Sequence, residues 1–402
     1  MESTPAASRP ATRRQPALLG AALALIPTLS LPALAAPSTV KASSVPTYRI
    51  EALTTSGMGA MAMGGADLMR MMLGGRPAMG TTVSRSLGLE LESPQVVANP
   101  TAEHRIPATL GMGAALPLRS TTLGKGERPI WKEPELVEGK GRMLLFRGCA
   151  ESAGAGQPEI VSLQGLAAEQ KREALAGLAA MAAMPQAVDA SGTTGRWPDT
   201  TQPPPVLPPK GSLVGAHTVV STYAPEVRFQ VASSHDFLAP VELTSAATPG
   251  GAQSLRWQVV PTALGYQASA VGPGQQEGDI VIWTSSEGPR NGSWVPGDLR
   301  APEAARLIQR QELLPPERTT CSISAQAMAA LQGMAMVTVT AYGDTLMLSA
   351  PQGTAPWQLS LERRSSATRP VGAGMDMLEG GGSSEGEPKP PKQRGFNPFQ
   401  LF

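Results

Sequence analysis

The chain has few aromatic residues. Phe, Trp and Tyr make up 4% of its 402 residues, whereas there are 43 Gly and 39 Pro. Such a composition assigns much of the chain to loops and linkers rather than to packed core. Neither charge is in excess, with 33 basic residues against 32 acidic ones. A balanced chain carries no electrostatic footprint for nucleic acid or for an anionic membrane surface. Histidine is confined to His104, His217 and His235. There is no HExxH pair, EF-hand loop or phosphate-cradling glycine motif, so neither a cofactor nor a metal site is expected. Beyond the first 35 residues no apolar run reaches the roughly 18 residues of a membrane span, so no transmembrane segment is expected in the mature chain.

The apolar run that does occur lies at the start. Arg13 and Arg14 precede an apolar stretch from Ala17 to Ala33, interrupted late by Pro27 and Pro32. Ala33-Leu34-Ala35 then supplies a small-x-small cleavage pattern. Residues 1–35 therefore read as a secretory signal peptide, and an exported, periplasmic or extracellular protein is expected. The remaining chain, from about Ala36 to Phe402, suits two domains and their linkers.

Two cysteines remain, Cys149 and Cys321. An oxidising compartment makes a disulfide the leading expectation. It would close a loop worth roughly 5 kcal/mol by the chain-entropy argument and tie the two halves of the chain together. Two separate buried thiols are the alternative, because free Cys packs as a small apolar residue.

Periodicity organises the rest. Tyr48–Leu53 and Ser86–Leu91 alternate as strands. Between them, residues 57–80 hold seven Met and seven Gly in 24 positions and read as a loop. Residues 94–139 show no regular period. Arg142–Phe146 reads as a buried strand, and Glu159–Leu163 as a strand able to pair with it. Residues 166–184 form an Ala-rich helix stopped by Pro185. The first domain thus spans 46–184. Seven Pro between 185 and 211 mark an extended linker. The second domain, 212–363, is strand-rich: Leu213–Tyr223, Val227–Val231, Leu255–Val260, Tyr266–Val271, Asp279–Ser285, Met334–Tyr342, Thr345–Ser349 and Trp357–Leu361. A helix is expected over Ala301–Leu314, with Leu307 and Ile308 facing inward. Residues 364–402 read as a disordered tail with an apolar tip.

Within the second domain, Trp257 and Tyr266 flank a short loop, Cys321 sits in the alternating run Thr319–Ile323, and Met334–Tyr342 alternates apolar residues with Thr. Residues 238–363 resemble a bacterial fibronectin type III domain, with strands B and C at 255–271, E at 319–323 and F at 334–342. The likeness implies a β-sandwich with Trp257 and Tyr266 packed between its sheets. This sequence lacks the usual early strand-F Tyr, and a helix-containing insertion at about 286–316 replaces short strands. The whole pattern also resembles a family of exported bacterial proteins to which no function is assigned.

Catalytic motifs are wanting. The one Gly-x-Ser-x-Gly match, Gly382 to Gly386, lies in the tail and lacks the strand–turn–helix that presents such a serine. Cys149 with His104 would make a thiol nucleophile only if no disulfide forms. Met58, Met61 and Met63, with Met69, Met71 and Met72, supply soft thioethers that suit Cu(I), although no His or Cys accompanies them. Phe396, Phe399 and Phe402 crowd the last seven positions, either as a docking tip for a protein partner or packed on their own domain. A mainly β protein is expected: a β-rich N-terminal domain ending in one helix, a fibronectin type III-like sandwich, and disordered termini. The expected function is non-catalytic binding of an envelope protein partner or an envelope-structural role. A periplasmic Cu(I)-binding protein and a hydrolase with dispersed catalytic residues are the alternatives.

Overall fold

A computed structural model describes residues 45–58, 83–123, 141–162, 192–199, 205, 207–288, 295–332 and 334–372. The protein is mainly β. Seventeen strands and two α-helices lie among the described residues. The expected signal peptide and helix 166–184, nearly all of the Met/Gly loop, and the apolar tip lie outside them.

The centre of the large sheet joins the two ends of the described chain. β1 (Thr47–Gly57) pairs in parallel with β17 (Gln358–Gly372) and antiparallel with β2 (Val83–Ser93). From β2 the sheet continues through β7 (Gly192–Trp197), β4 (Ala115–Leu123), β3 (Ala102–Arg105), β8 (Gly215–Ser221) and β9 (Val227–Val231). From β17 it continues through β15 (Met334–Gly343), β12 (Ala263–Pro273), β13 (Ile280–Thr284), β5 (Arg142–Arg147) and β6 (Glu159–Ser162). β16 (Leu346–Ser349) pairs beside the first part of β17. A separate sheet holds β10 (Thr244–Ala247), β11 (Gln253–Arg256) and β14 (Thr320–Ile323).

Strand alternation divides the faces. On β1, Tyr48, Ile50 and Ala52 are buried; Leu87, Leu89 and Leu91 of β2 and Leu359 and Leu361 of β17 lie beside them. The same first core contains Leu116 and Leu118 of β4, Val219 of β8 and Phe229 of β9. The sheet therefore folds over at β4, which pairs with β7 by its later residues and with β3 by its earlier ones. A second core fills the space between β10–β11–β14 and the run β12, β13 and β15. Leu255, Trp257, Tyr266, Trp283, Ile323 and Val339 belong to it.

The expected linker at 185–211 does not separate two sheets. It contains β7, which lies between β2 and β4, and strands from both sides of it pair across the molecule. β7 fits this place through its glycines, Gly192 and Gly195. At Gly195 any side chain would collide with the Tyr223 hydroxyl. The strand ending the second domain also runs past 363. Ser365, Ala367 and Val371 are buried, and Arg364–Gly372 pairs with β15. The tail expected from 364 is thus strand as far as Gly372.

The helix expected to reach Leu314 stops earlier. α1 spans Ala301–Gln309, with Pro302 in its first turn and Ala304 and Leu307 buried. Gln311 adopts a left-handed φ of 58°, which takes the chain out of the helix before Pro315. α2 (Ala325–Ala330) is a short helix capped by Ser324, whose Oγ accepts the Ala327 N–H at 3.3 Å. Among the described residues no helix is long and apolar enough to cross a membrane.

Candidate functional site

Cys149 and Cys321 form a disulfide, with their Cα atoms 4.6 Å apart. Cys321 lies on β14 and Cys149 just beyond β5, so the bond joins the small sheet to the far flank of the large one. Backbone bonds run beside it: Ser322 N–H donates to Cys149 O at 3.1 Å, and Ala325 N–H to Glu151 O at 2.9 Å. The buried Trp283 indole donates to Gly148 O at 2.9 Å. This corner is a staple, and it takes Cys149 away from any role as a nucleophile.

The histidines sort by strand parity. His104 follows the inward positions of β3, and His217 those of β8, so both rings enter the first core, at 0% and 2% exposure. Tyr48 reaches them from β1 across the core. Its hydroxyl lies 2.9 Å from His104 Nδ1, and His104 Nε2 lies 3.0 Å from His217 Nδ1. His217 Nε2 lies 2.7 Å from Leu213 O. The Phe229 ring stacks on His217 at 4.8 Å and 9°. A carbonyl only accepts, so His217 carries its proton on Nε2. Its Nδ1 is then an acceptor, so His104 Nε2 donates, which leaves His104 Nδ1 to accept from Tyr48. One carbonyl fixes the direction of all three bonds. Burial, then the neighbouring His217, pushes His104 down to about 3. Burial also lowers His217, against the opposing effect of its bond to Leu213. His235 is separate, half-buried, with its Nδ1 3.1 Å from Ser234 Oγ.

A third arrangement lies on the opposite face of β1. There Arg49 sits 3.8 Å from Glu90 and 3.7 Å from Glu362. Arg196 donates to Glu90 from Nε at 2.6 Å, and Arg364 lies 3.7 Å from Glu51. The register sets Glu51 directly beside Glu362 across the parallel pair. Burial first, and then the Glu51 charge, raises Glu362 to about 7 against the opposing effect of Arg49 and Arg364.

Trp257 and Tyr266 come together as expected, their ring centroids 5.5 Å apart in the second core. Phe396, Phe399 and Phe402 lie outside the described residues, as do Met61, Met63, Met69, Met71 and Met72; Met58 lies at their margin. No group of three or more His, Cys, Asp or Glu able to hold a metal ion occurs among the described residues. The reading by motif passed over Tyr48 and the pairing of His104 with His217. The available signal was parity, since each histidine falls in step with the apolar residues of its strand. No protein-family model matches the chain, and neither a curated protein nor a solved structure is detectably similar to it.

Proposed function

We propose that this is an exported protein whose role is non-catalytic: binding a protein partner in the cell envelope, or building envelope structure. The observation that carries the reading is the Cys149–Cys321 disulfide, a buried covalent staple suited to an oxidising compartment. The likeness to fibronectin type III agrees with the strand pairing. β11 and β14, the B and E candidates, are neighbours in one sheet, while β12 and β15, the C and F candidates, are neighbours in the other. That is the pairing expected of a sandwich of this kind, which presents its loops to partners. The ring nitrogens of His104 and His217 are engaged with each other, Tyr48 and Leu213, which favours a structural over a base-catalytic use.

The test has two arms. Thiol trapping in intact cells is expected to find both cysteines oxidised and the protein outside the cytoplasm; reduced thiols on a cytoplasmic protein would end the export reading. Crosslinking in living cells, with the full chain beside one truncated before Phe396, is expected to yield a reproducible envelope partner lost on truncation. Absence of any partner from both samples would count against the binding role.

A further inference from the structure

The bond chain inside the first core has no spare acceptor. Leu213 O takes the His217 proton, His217 Nδ1 takes the His104 proton, and His104 Nδ1 takes the Tyr48 proton. A proton added to His217 Nδ1 would face the His104 N–H at hydrogen-bond distance, two donors against each other. One added to His104 Nδ1 requires the Tyr48 O–H to turn away and find another acceptor within a buried core. The chain also spans the core. Tyr48 stands on β1, at the centre of the sheet, and the histidines stand on β3 and β8, beyond the fold-over at β4. We propose that Tyr48, His104 and His217 form an acid-sensitive clasp, which joins the two faces of the first core at neutral pH and releases β3, β8 and β9 when the imidazoles take up protons.

The surroundings offer an added proton no counter-charge. From β1 the facing group is Tyr48, and from the turn after β8 it is Tyr223, whose hydroxyl meets Ser120 Oγ at 3.1 Å. β9 contributes Phe229, which carries no charge. On β3, Glu103 and Arg105 flank His104 but occupy the outward positions and pair with each other at 2.8 Å. Glu226 and Arg228 likewise pair with each other. Asp236 accepts from Leu213 N–H at 2.8 Å and Ser212 Oγ at 2.6 Å, and Arg85 donates to Gly211 O at 2.5 Å. These two groups fix the segment that carries the Leu213 carbonyl, and both are committed to it. Among the described residues no carboxylate is hydrogen-bonded to either ring.

The sign follows from burial. Both rings bind protons less readily when folded than when exposed. Their contribution is full above about pH 6.5 and is lost progressively as the pH falls, since only the open form takes up protons in that window. Each histidine that stays neutral in the folded form raises the open population by at most about tenfold per pH unit below about 6.5, and two such rings together by at most about a hundredfold.

The full chain, labelled on its histidines, makes the test direct because it has three of them. Nitrogen chemical shifts are followed from pH 7.5 to 4 alongside amide exchange corrected for its intrinsic pH dependence. His104 and His217 are expected to stay neutral, protonated on Nε2, until the amides of β3, β8 and β9 lose protection, while β12 and β15 stay protected. Either ring titrating near 6.5 with protection unchanged overturns the proposal. Simultaneous loss of protection in β12 and β15 also overturns it, because the event is then global unfolding. The double variant His104→Gln, His217→Gln is expected to flatten the pH dependence of opening in β3, β8 and β9. A profile parallel to that of the unsubstituted protein argues against the clasp. Should the variant not fold, the shifts of the unsubstituted protein decide the question alone.

Discussion

Arg363 holds the backbone carbonyl of Asp344 with two nitrogens, Nε at 3.2 Å and Nη2 at 3.1 Å. Its third nitrogen reaches Asp236 O at 3.3 Å and Thr262 Oγ1 at 3.4 Å. The side chain is 2% exposed and stands on β17 between Leu361 of the first core and Ala367 of the second. On β1, Thr54 donates to Leu238 O at 2.8 Å and Ser56 to Val241 O at 2.6 Å. The two cores thus share β17 and are divided by a polar seam that binds the chain crossing from β9 to β10.

Arg363→Met is expected to lower the unfolding free energy by about 3 kcal/mol, because the buried carbonyls lose a charged donor that nothing replaces. Arg363→Lys recovers only part, since an ammonium cannot reproduce the planar fork. Urea denaturation of both variants checks this; a loss under about 1 kcal/mol for the Met variant would mean that the carbonyls find other donors.

Cys149→Ser with Cys321→Ser is expected to cost roughly 3–5 kcal/mol, given a closed loop of 172 residues. Thermal melts with and without reductant give the comparison. Equal melting temperatures for the variant and the oxidised protein would show that the backbone bonds at Ser322 and Ala325 hold the corner without the bond.

Glu362 carries a pH signature of opposite sign to the histidines. Its folded-state value is raised above the ordinary 4.5, so its stabilising contribution is full below about 4.5 and is lost as the pH rises through about 7. Glu362→Gln is therefore expected to stabilise the protein at pH 8 by about 1–2 kcal/mol and to have little effect at pH 5. Melting curves at the two pH values check it. A destabilised variant at pH 8 would show that the ion pair outweighs the burial of the charge.

Tyr266 supports the turn before its own strand. Its hydroxyl accepts the buried Val260 N–H at 2.8 Å. Tyr266→Phe keeps the ring against Trp257 and leaves that N–H without a partner, which is expected to cost about 1–3 kcal/mol. Chemical denaturation measures the cost, and amide exchange at Val260 identifies its source.

The strands with strict alternation were legible in the sequence. β9, Val227–Val231, reads inward at Val227, Phe229 and Val231, and the structure buries those three. β1, β2 and β15 were legible for the same reason and β5 as a short apolar run, and Glu159–Ser162 pairs with β5 as its pattern suggested. β7 was not: Gly-Thr-Thr-Gly-Arg-Trp carries no apolar period, and its place depends on Tyr223, 28 residues beyond Gly195. The later part of β17 was hidden because Arg363 and Ser365 are buried, and the burial of Arg363 makes sense only with the Asp236 carbonyl lying against it. β3 and β4 fell in a stretch punctuated by Pro and Gly, where four- and nine-residue strands leave little periodicity to read. At the candidate site, the cysteine pair followed from count and from the compartment expected of the leader-like first 35 residues. The histidine clasp did not, because its three members come from β1, β3 and β8 and meet only after the sheet folds over.

The parallel pairing of β1 with β17 is the closure in the large sheet that spans the longest stretch of sequence. Thr47 lies beside Gln358 and Gly57 beside Thr368, so the middle of the sheet waits for residues some three hundred positions downstream. Without β17, β1 keeps one edge unpaired, the first core lacks Leu359 and Leu361, and the second lacks Ala367 and Val371. Loop closure of that length is slow compared with hairpin formation. The one strand whose pairing with β1 requires that long closure is also the one that supplies side chains to both cores.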